Sequence, residues 1–216
     1  MASDPKGLGA MFDAHTAAEF KTRDIDATMA TMSEAPHVTH VPTMTGGNGR
    51  DEVRRFYETW FIGHWPEDTV ITPVSRIVGE NSVVDEVVIS FTHDCDMPAI
   101  LPGVAPTGRK VTIPFVVVVG FDNGKVEFER IYWDQAPLLA QLGLIDASKL
   151  PVAGAEQAAR LLDPSLPSNT LIPKVSCSPT DPLTPPRSGA DPILCSQIAI
   201  PRAPTTFARV DHRNGG

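Results

Sequence analysis

The chain reads as an α+β fold in which N-terminal helices pack on a curled antiparallel sheet. Three observations predict this. Helix-period apolar stripes fall before residue 62 and after residue 134. Between them lie four β-rich runs, 70–78 (VITPVSRIV), 83–94 (VVDEVVISFTHD), 111–121 (VTIPFVVVVGF) and 125–134 (KVEFERIYWD). The last two are separated by Asp122-Asn123-Gly124, and an Asn-Gly pair between β-rich runs is a strong hairpin signal. Connections this short exclude right-handed βαβ crossovers among these runs, so helices followed by a meander make an α+β domain.

Taken in order, Ile25, Met29 and Met32 fall at i, i+4 and i+7, with Asp24 available as an N-cap. Residues 37–47 (HVTHVPTMTGG) are β-branched and end in paired glycines, which predicts a strand or hairpin arm. Asn48 precedes GRDEVRRFYETWF, where Val53, Phe56, Tyr57 and Trp60 make one apolar stripe. The meander then follows, with the Pro- and Gly-rich loop MPAILPGVAPTGRK before its third strand. After Asp134, Leu138, Leu139 and Leu142 form a short helical stripe that Gly143 stops, and GAEQAARLL (154–162) predicts another helix. These elements divide the chain into a flexible start (1–10), a main domain (11–145), a C-terminal helical extension (146–173) and a tail (174–216). The tail holds seven prolines and no clear period, and is expected to be disordered.

Composition removes several function classes. Eighteen Lys and Arg stand against 26 Asp and Glu, a net charge of −8. That balance argues against a nucleic-acid or anionic-membrane partner, which needs a basic face. No apolar run approaches the roughly 20 residues of a membrane span. The start lacks the basic and apolar regions of a secretory signal. Cys95, Cys177 and Cys195 are odd in number and have no metal-ligand spacing, so a cytoplasmic protein without a disulfide framework is expected. His37, His40 and His93 show neither HxH nor HExxH spacing, so no metal centre is expected. Neither Cys95 (HDCDM) nor Cys177 (VSCSP), nor any serine, sits in the G-x-[SC]-x-G elbow that a hydrolase nucleophile of that type needs.

Strand alternation selects candidate site residues. In 85–94, Val87, Ile89, Phe91 and His93 share the more apolar face and are expected inward. In 125–134, Val126, Phe128, Arg130, Tyr132 and Asp134 share one face, read as interior, and Glu127, Glu129, Ile131 and Trp133 share the other. Polar groups buried on the first face need partners or a ligand, because isolated burial costs several kcal/mol. Residues 111–121 are apolar on both faces, and a homodimer formed sheet to sheet would cover the second stripe.

Three segments carry a resemblance: VPTMTGGNGRDEVRRFY (41–57), FTHD…PTGRKVTIP (91–114) and IYWDQAPLLAQLGL (131–144). Together they resemble the SnoaL-like branch of the nuclear transport factor 2-like superfamily, the polyketide-cyclase-like domains of secondary metabolism. The resemblance implies a cone-shaped α+β barrel with an acid–base residue near the final strand, working without metal or cofactor. On that basis the chain is expected to be a cyclase, isomerase, lyase (dehydratase) or lactone-rearranging enzyme acting on a small, carbonyl-bearing, mostly apolar molecule. The rival reading is a non-catalytic small-molecule-binding or dimerisation module of the same fold.

The catalytic candidates are Asp134 as general base, His93 as proton relay and Arg130 as oxyanion stabiliser. Tyr132, His40, Tyr57, Trp60 and Phe128 are candidates for the substrate wall. Each has a plainer reading. Asp134 suits the N-cap of the following helix, although Pro137 at N3 leaves it only the N2 donor. His93 suits a core histidine, Arg130 an ion pair, and Tyr57 and Trp60 a helix core.

Overall fold

The computed structural model describes residue 4 and residues 6–172; the expectation for the 174–216 tail lies outside them. Helix α1 (Leu8–Ala17) opens the fold inside the stretch read as a flexible start, because Asp4 accepts hydrogen bonds from the Leu8 and Gly9 amides. One π turn, Ala18–Thr22, extends it. Helix α2 (Ile25–Ala30) carries the expected cap, the Asp24 side chain accepting from Ala27 N–H. Then come β1 (Met32–His40), β2 (Thr45–Asn48) and α3 (Arg50–Phe56), which continues into a second π turn, Tyr57–Phe61.

The four meander strands are β3 (Val70–Val78), β4 (Ser82–Thr92), β5 (Lys110–Asp122) and β6 (Lys125–Trp133), followed by α4 (Gln135–Gln141) and α5 (Glu156–Leu162). The sheet order is β2-β1-β6-β5-β4-β3. It is mixed rather than wholly antiparallel, since β1 runs parallel to β6. With β2 and β3 as free edges it curls without closing. Helices α1 and α3 contact β4 and β1 respectively, leaving a concave face between helices and sheet.

Pairing fixes which residues share that face. Val38 lies beside Glu129 and His40 beside Ile131; Val117 lies between Ile131 and Asp85. The inward set therefore contains Glu129, Ile131 and Trp133, all buried, while Arg130 and Tyr132 are exposed. This reverses the alternation read from the sequence beyond Val126. The cause is a β-bulge: Gly120 and Phe121 on β5 pair with Phe128 and Val126, so Glu127 is an extra residue on β6. One inserted residue turns every following side chain to the other face. Gly120 permits it, because a Cβ there would overlap the Phe128 ring.

The second apolar stripe of β5 is in part covered by the chain itself. Helices α4 and α5 contact β5, and Gln141 of α4 accepts from Thr112 N–H and donates to Thr112 C=O. Val116 and Val118 remain half-buried on the outward face.

Candidate active site

A cavity of about 600 Å³ occupies the concave face. Its walls are apolar, with Phe12 and Phe20 from α1 and its π turn, Phe61 and Trp65 after α3, and Phe115 and Val117 from β5. Its polar inner surface comes from Glu19, His40, Tyr57 and Glu129. A largely apolar hollow with a few convergent polar groups is the usual form of a small-molecule site.

Two local irregularities bring these groups together. The π turn at Ala18–Thr22 adds a residue to the turn, and Glu19 is buried one helical turn beyond His15. The bulge at Glu127 turns Glu129 inward. Both devices are over-represented at functional sites.

His15 Nε2 lies 3.2 Å from Glu19 Oε1 and 3.3 Å from Glu129 Oε2. The Tyr57 hydroxyl donates to Glu129 Oε2 at 2.8 Å. Hydrogen-bond accounting fixes the other side of the imidazole. The Thr31 hydroxyl donates its one proton to Thr28 C=O, so it accepts from His15 Nδ1–H at 2.6 Å. His15 thus holds its Nε2 toward two carboxylates.

This enclosure moves the protonation equilibria of all four groups. Burial, the largest influence on His15, favours its neutral form, but the charges of Glu129 and Glu19 and their hydrogen bonds outweigh it. The imidazole is raised well above its ordinary value. Burial also pushes Glu129 upward, yet the His15 charge and the hydrogen bonds from His15 and Tyr57 carry it below the usual carboxylate range. Glu19 goes the other way: burial raises it, His15 offsets part of that, and the Glu129 charge adds to the rise. Burial and the two glutamates raise Tyr57 well above an ordinary phenol. His40, buried against Phe56, Phe61 and Trp133, is lowered to about 4 by burial, against a smaller upward pull from Glu129. Its Nδ1 is enclosed without a hydrogen-bond partner.

Of the residues expected at the site, His40 and Tyr57 line the cavity. The structure does not bring Asp134, His93 and Arg130 together. Asp134 is exposed and caps α4, accepting from Ala136 N–H at 3.1 Å; this N2 donor is the one that Pro137 leaves. Asp134→Ala is expected to cost about 1 kcal/mol of stability, as for other N-caps, with ligand binding unchanged; urea midpoints and ligand titration check the two parts. His93 is fully buried at the end of β4, its Nδ1 3.2 Å from Thr107 Oγ1. Its carbonyl accepts from Thr107 and Gly108 N–H, so it pins the far end of the Pro- and Gly-rich loop, whose Ile100 lines the cavity. Arg130 stacks over Phe128, which stacks on His37, and Tyr132 is exposed beside them; all lie on the outward face that the bulge created. Trp60 is 41 % exposed because the π turn breaks the 3.6-residue stripe and seats Phe61 inward instead.

The groups that sequence reasoning missed are His15, Glu19 and Glu129. His15 and Glu19 stand at i, i+4 within the apolar stretch MFDAHTAAEF, a pattern that puts an acid and an imidazole on one helix face. Their nitrogen and oxygen atoms, with one from Glu129, lie within 4.8 Å of one another, the arrangement among the described residues that could hold a cation. Each of these three side chains already has a partner in the others, which makes the cluster self-sufficient as a proton-sharing unit.

The geometry defines a class first: a helix-roofed, curled-sheet protein with an enclosed, apolar pocket and buried acids at its inner end. A SnoaL-like polyketide cyclase model matches residues 12–142, more than half of the chain, and the chain belongs to that family. A search of curated proteins gives no match. Among solved structures, a putative SnoaL-like polyketide cyclase from Jannaschia sp. CCS1 is similar at 16 % identity. That match covers 68 % of this chain and 99 % of the other, with TM-score 0.52. TsrD from Streptomyces laurentii is similar at 15 % identity over 67 % and 100 % of the two chains, TM-score 0.51. AclR, a putative hydroxylase from Streptomyces galilaeus, is similar at 20 % identity over 65 % and 98 %, TM-score 0.50. Likeness at these identities concerns the fold. Among the described residues no helix is long and apolar enough to cross a membrane.

Proposed function

We propose that the protein is a cofactor-independent acid–base enzyme of cyclase or isomerase type, acting on a small, carbonyl-bearing, mostly apolar molecule. One observation carries the reading: two buried carboxylates on the wall of an apolar cavity are displaced in opposite directions, Glu129 down and Glu19 up. Carboxyl groups pushed apart in this way divide the roles of base and acid between them. Glu129 takes the proton from a carbon next to the substrate carbonyl; the C–H electron pair becomes the enolate. Glu19 returns a proton to the oxygen or to another carbon. His40, as a neutral imidazole, is available to donate toward the developing oxyanion, while the Tyr57 hydroxyl holds Glu129 in place. His15 touches the two carboxylates rather than the cavity and acts as the positioning residue that keeps Glu129 ionised. Family membership supports the cyclase side of this reading.

The test uses a probe that needs no knowledge of the natural substrate. 2-Tetralone incubated with the protein in D2O should lose its α-proton NMR signals faster than buffer catalysis allows. A passive binding module would shift the ketone signals without exchanging them.

The homodimer through the outward sheet face belongs to the same reading. Val70, Ile77 and Tyr132, exposed there beside half-buried Val116 and Val118, would be covered by a second copy. Sedimentation equilibrium should give twice the chain mass, and Val70→Lys with Ile77→Lys should return it to one; a monomeric wild type ends the idea.

A further inference from the structure

The charged groups around the cavity point to what it excludes. Five carboxylates line it, Asp13, Glu19, Asp85, Glu86 and Glu129, against one guanidinium, Arg76; no lysine lines it among the described residues. Arg76 has four of its five N–H groups engaged. Its Nε and Nη2 each lie 2.6 Å from an oxygen of Asp85, Nη2 is also 2.8 Å from Asp13, and Nη1 donates to Gly9 C=O at 3.2 Å. Asp85 is buried and the pair is bidentate, which holds the fork in one geometry. His15 is taken up by Glu19 and Glu129 in the same way. An entering anion would therefore meet carboxylates and no free cation, having lost its water.

An entering cation gains little at the enclosed end. Asp85 has its counter-charge in Arg76, which the more exposed Asp13 shares, and Glu129 has its own in His15. Glu86 is bonded to Ser75 at the rim. The complement of an aromatic-walled cavity with more carboxylates than cations is a molecule without negative charge, such as an uncharged ring system with a carbonyl or hydroxyl at one end.

We infer that the cavity selects uncharged, ring-bearing molecules and rejects carboxylates, sulfonates and phosphates, with the Arg76–Asp85–Asp13 lock setting that selection. The inference rests on the cavity being the ligand site proposed above. It goes beyond that reading by assigning the discrimination to residues outside the acid–base cluster.

Two fluorescent probes sharing one skeleton test it: uncharged N-phenyl-1-naphthylamine and its sulfonated counterpart anilinonaphthalene sulfonate, titrated into the full chain. The uncharged probe should bind tighter by a factor on the order of 100, since like-charge juxtaposition costs several kcal/mol. Asp13→Asn with Asp85→Asn frees Arg76 to face an anion and should shrink that ratio at least about tenfold. Asp13→Asn alone, at an exposed position, should move it in the same direction if the double variant folds poorly. Equal or tighter binding of the sulfonate, binding of neither probe, or a ratio that the Asn variants leave unchanged overturns the inference. Loss of discrimination with α-proton exchange intact therefore removes this inference alone, and the converse removes the enzyme reading alone.

Discussion

Glu129→Gln is expected to slow α-proton exchange in 2-tetralone by about 10² to 10⁴, the contribution of a positioned general base. The substitution keeps the shape of the side chain and its ability to accept from Tyr57, but it cannot take a proton. It also takes from His15 the second of its two carboxylates, so the imidazole should titrate nearer its ordinary value. Binding of the ketone, followed by the same NMR spectra, should persist because the apolar wall is unchanged. Loss of both exchange and binding would mean that the cluster holds the cavity open rather than performing chemistry. Full exchange in the variant would remove Glu129 from the reaction. The size of the expected effect follows from enclosure: buried among His15, Tyr57 and Glu19, the carboxylate leaves no room for bulk water to replace it as base.

Most of the scaffold was legible because its signals are local. The runs of β-branched residues give β3 to β6 within two residues of their ends, and Asp24 caps α2 through its own side chain. The site was legible only in part, for a reason that concerns phase rather than composition. Alternation places Glu129 outward on any uninterrupted strand; a bulge at Glu127, signalled in the sequence by nothing nearer than Gly120 on the opposite strand, places it inward. A helix of 3.6 residues per turn places Trp60 on the stripe of Val53 and Phe56; the π turn replaces it with Phe61. Each is a one-residue insertion into a regular element, and each decides which side chain meets the ligand. Tyr57 was found because it stands at the very start of the π turn, and His40 because β1 keeps a regular register with β6 from His37 onward. Asp134 was drawn toward the pocket by the same alternation that the bulge reverses, and its cap role follows from its place at the start of α4.

His40 supplies an expected dependence of stability on pH in the acid range. Its folded-state value of about 4 lies below the 6.5 of an exposed histidine, because burial among Phe56, Phe61 and Trp133 favours the neutral ring. Between those values the unfolded chain binds a proton that the folded chain refuses. Stability is therefore withdrawn as pH falls from 6.5 toward 4, and restored above 6.5. At roughly 1.4 kcal/mol per pH unit the withdrawal amounts to about 3 kcal/mol across the window. The surrounding groups do not imitate it. His15, whose folded value is raised, keeps its stabilising charge pairing throughout acid pH and loses it only as pH rises through that value. Glu129, lowered, holds its contribution above 4.5 and yields it only as pH falls through its folded value. Glu19, raised, acts oppositely to His40, since acidification toward 4.5 relieves the strain of its buried charge. The difference between wild type and His40→Leu isolates one group from the other three. The urea midpoint of the variant should gain on that of the wild type as pH falls, and the two curves should run parallel above 6.5. Parallel curves at every pH would mean that His40 takes up its proton in the folded state as readily as in water. It could not then stand as a neutral donor at the inner end of the cavity.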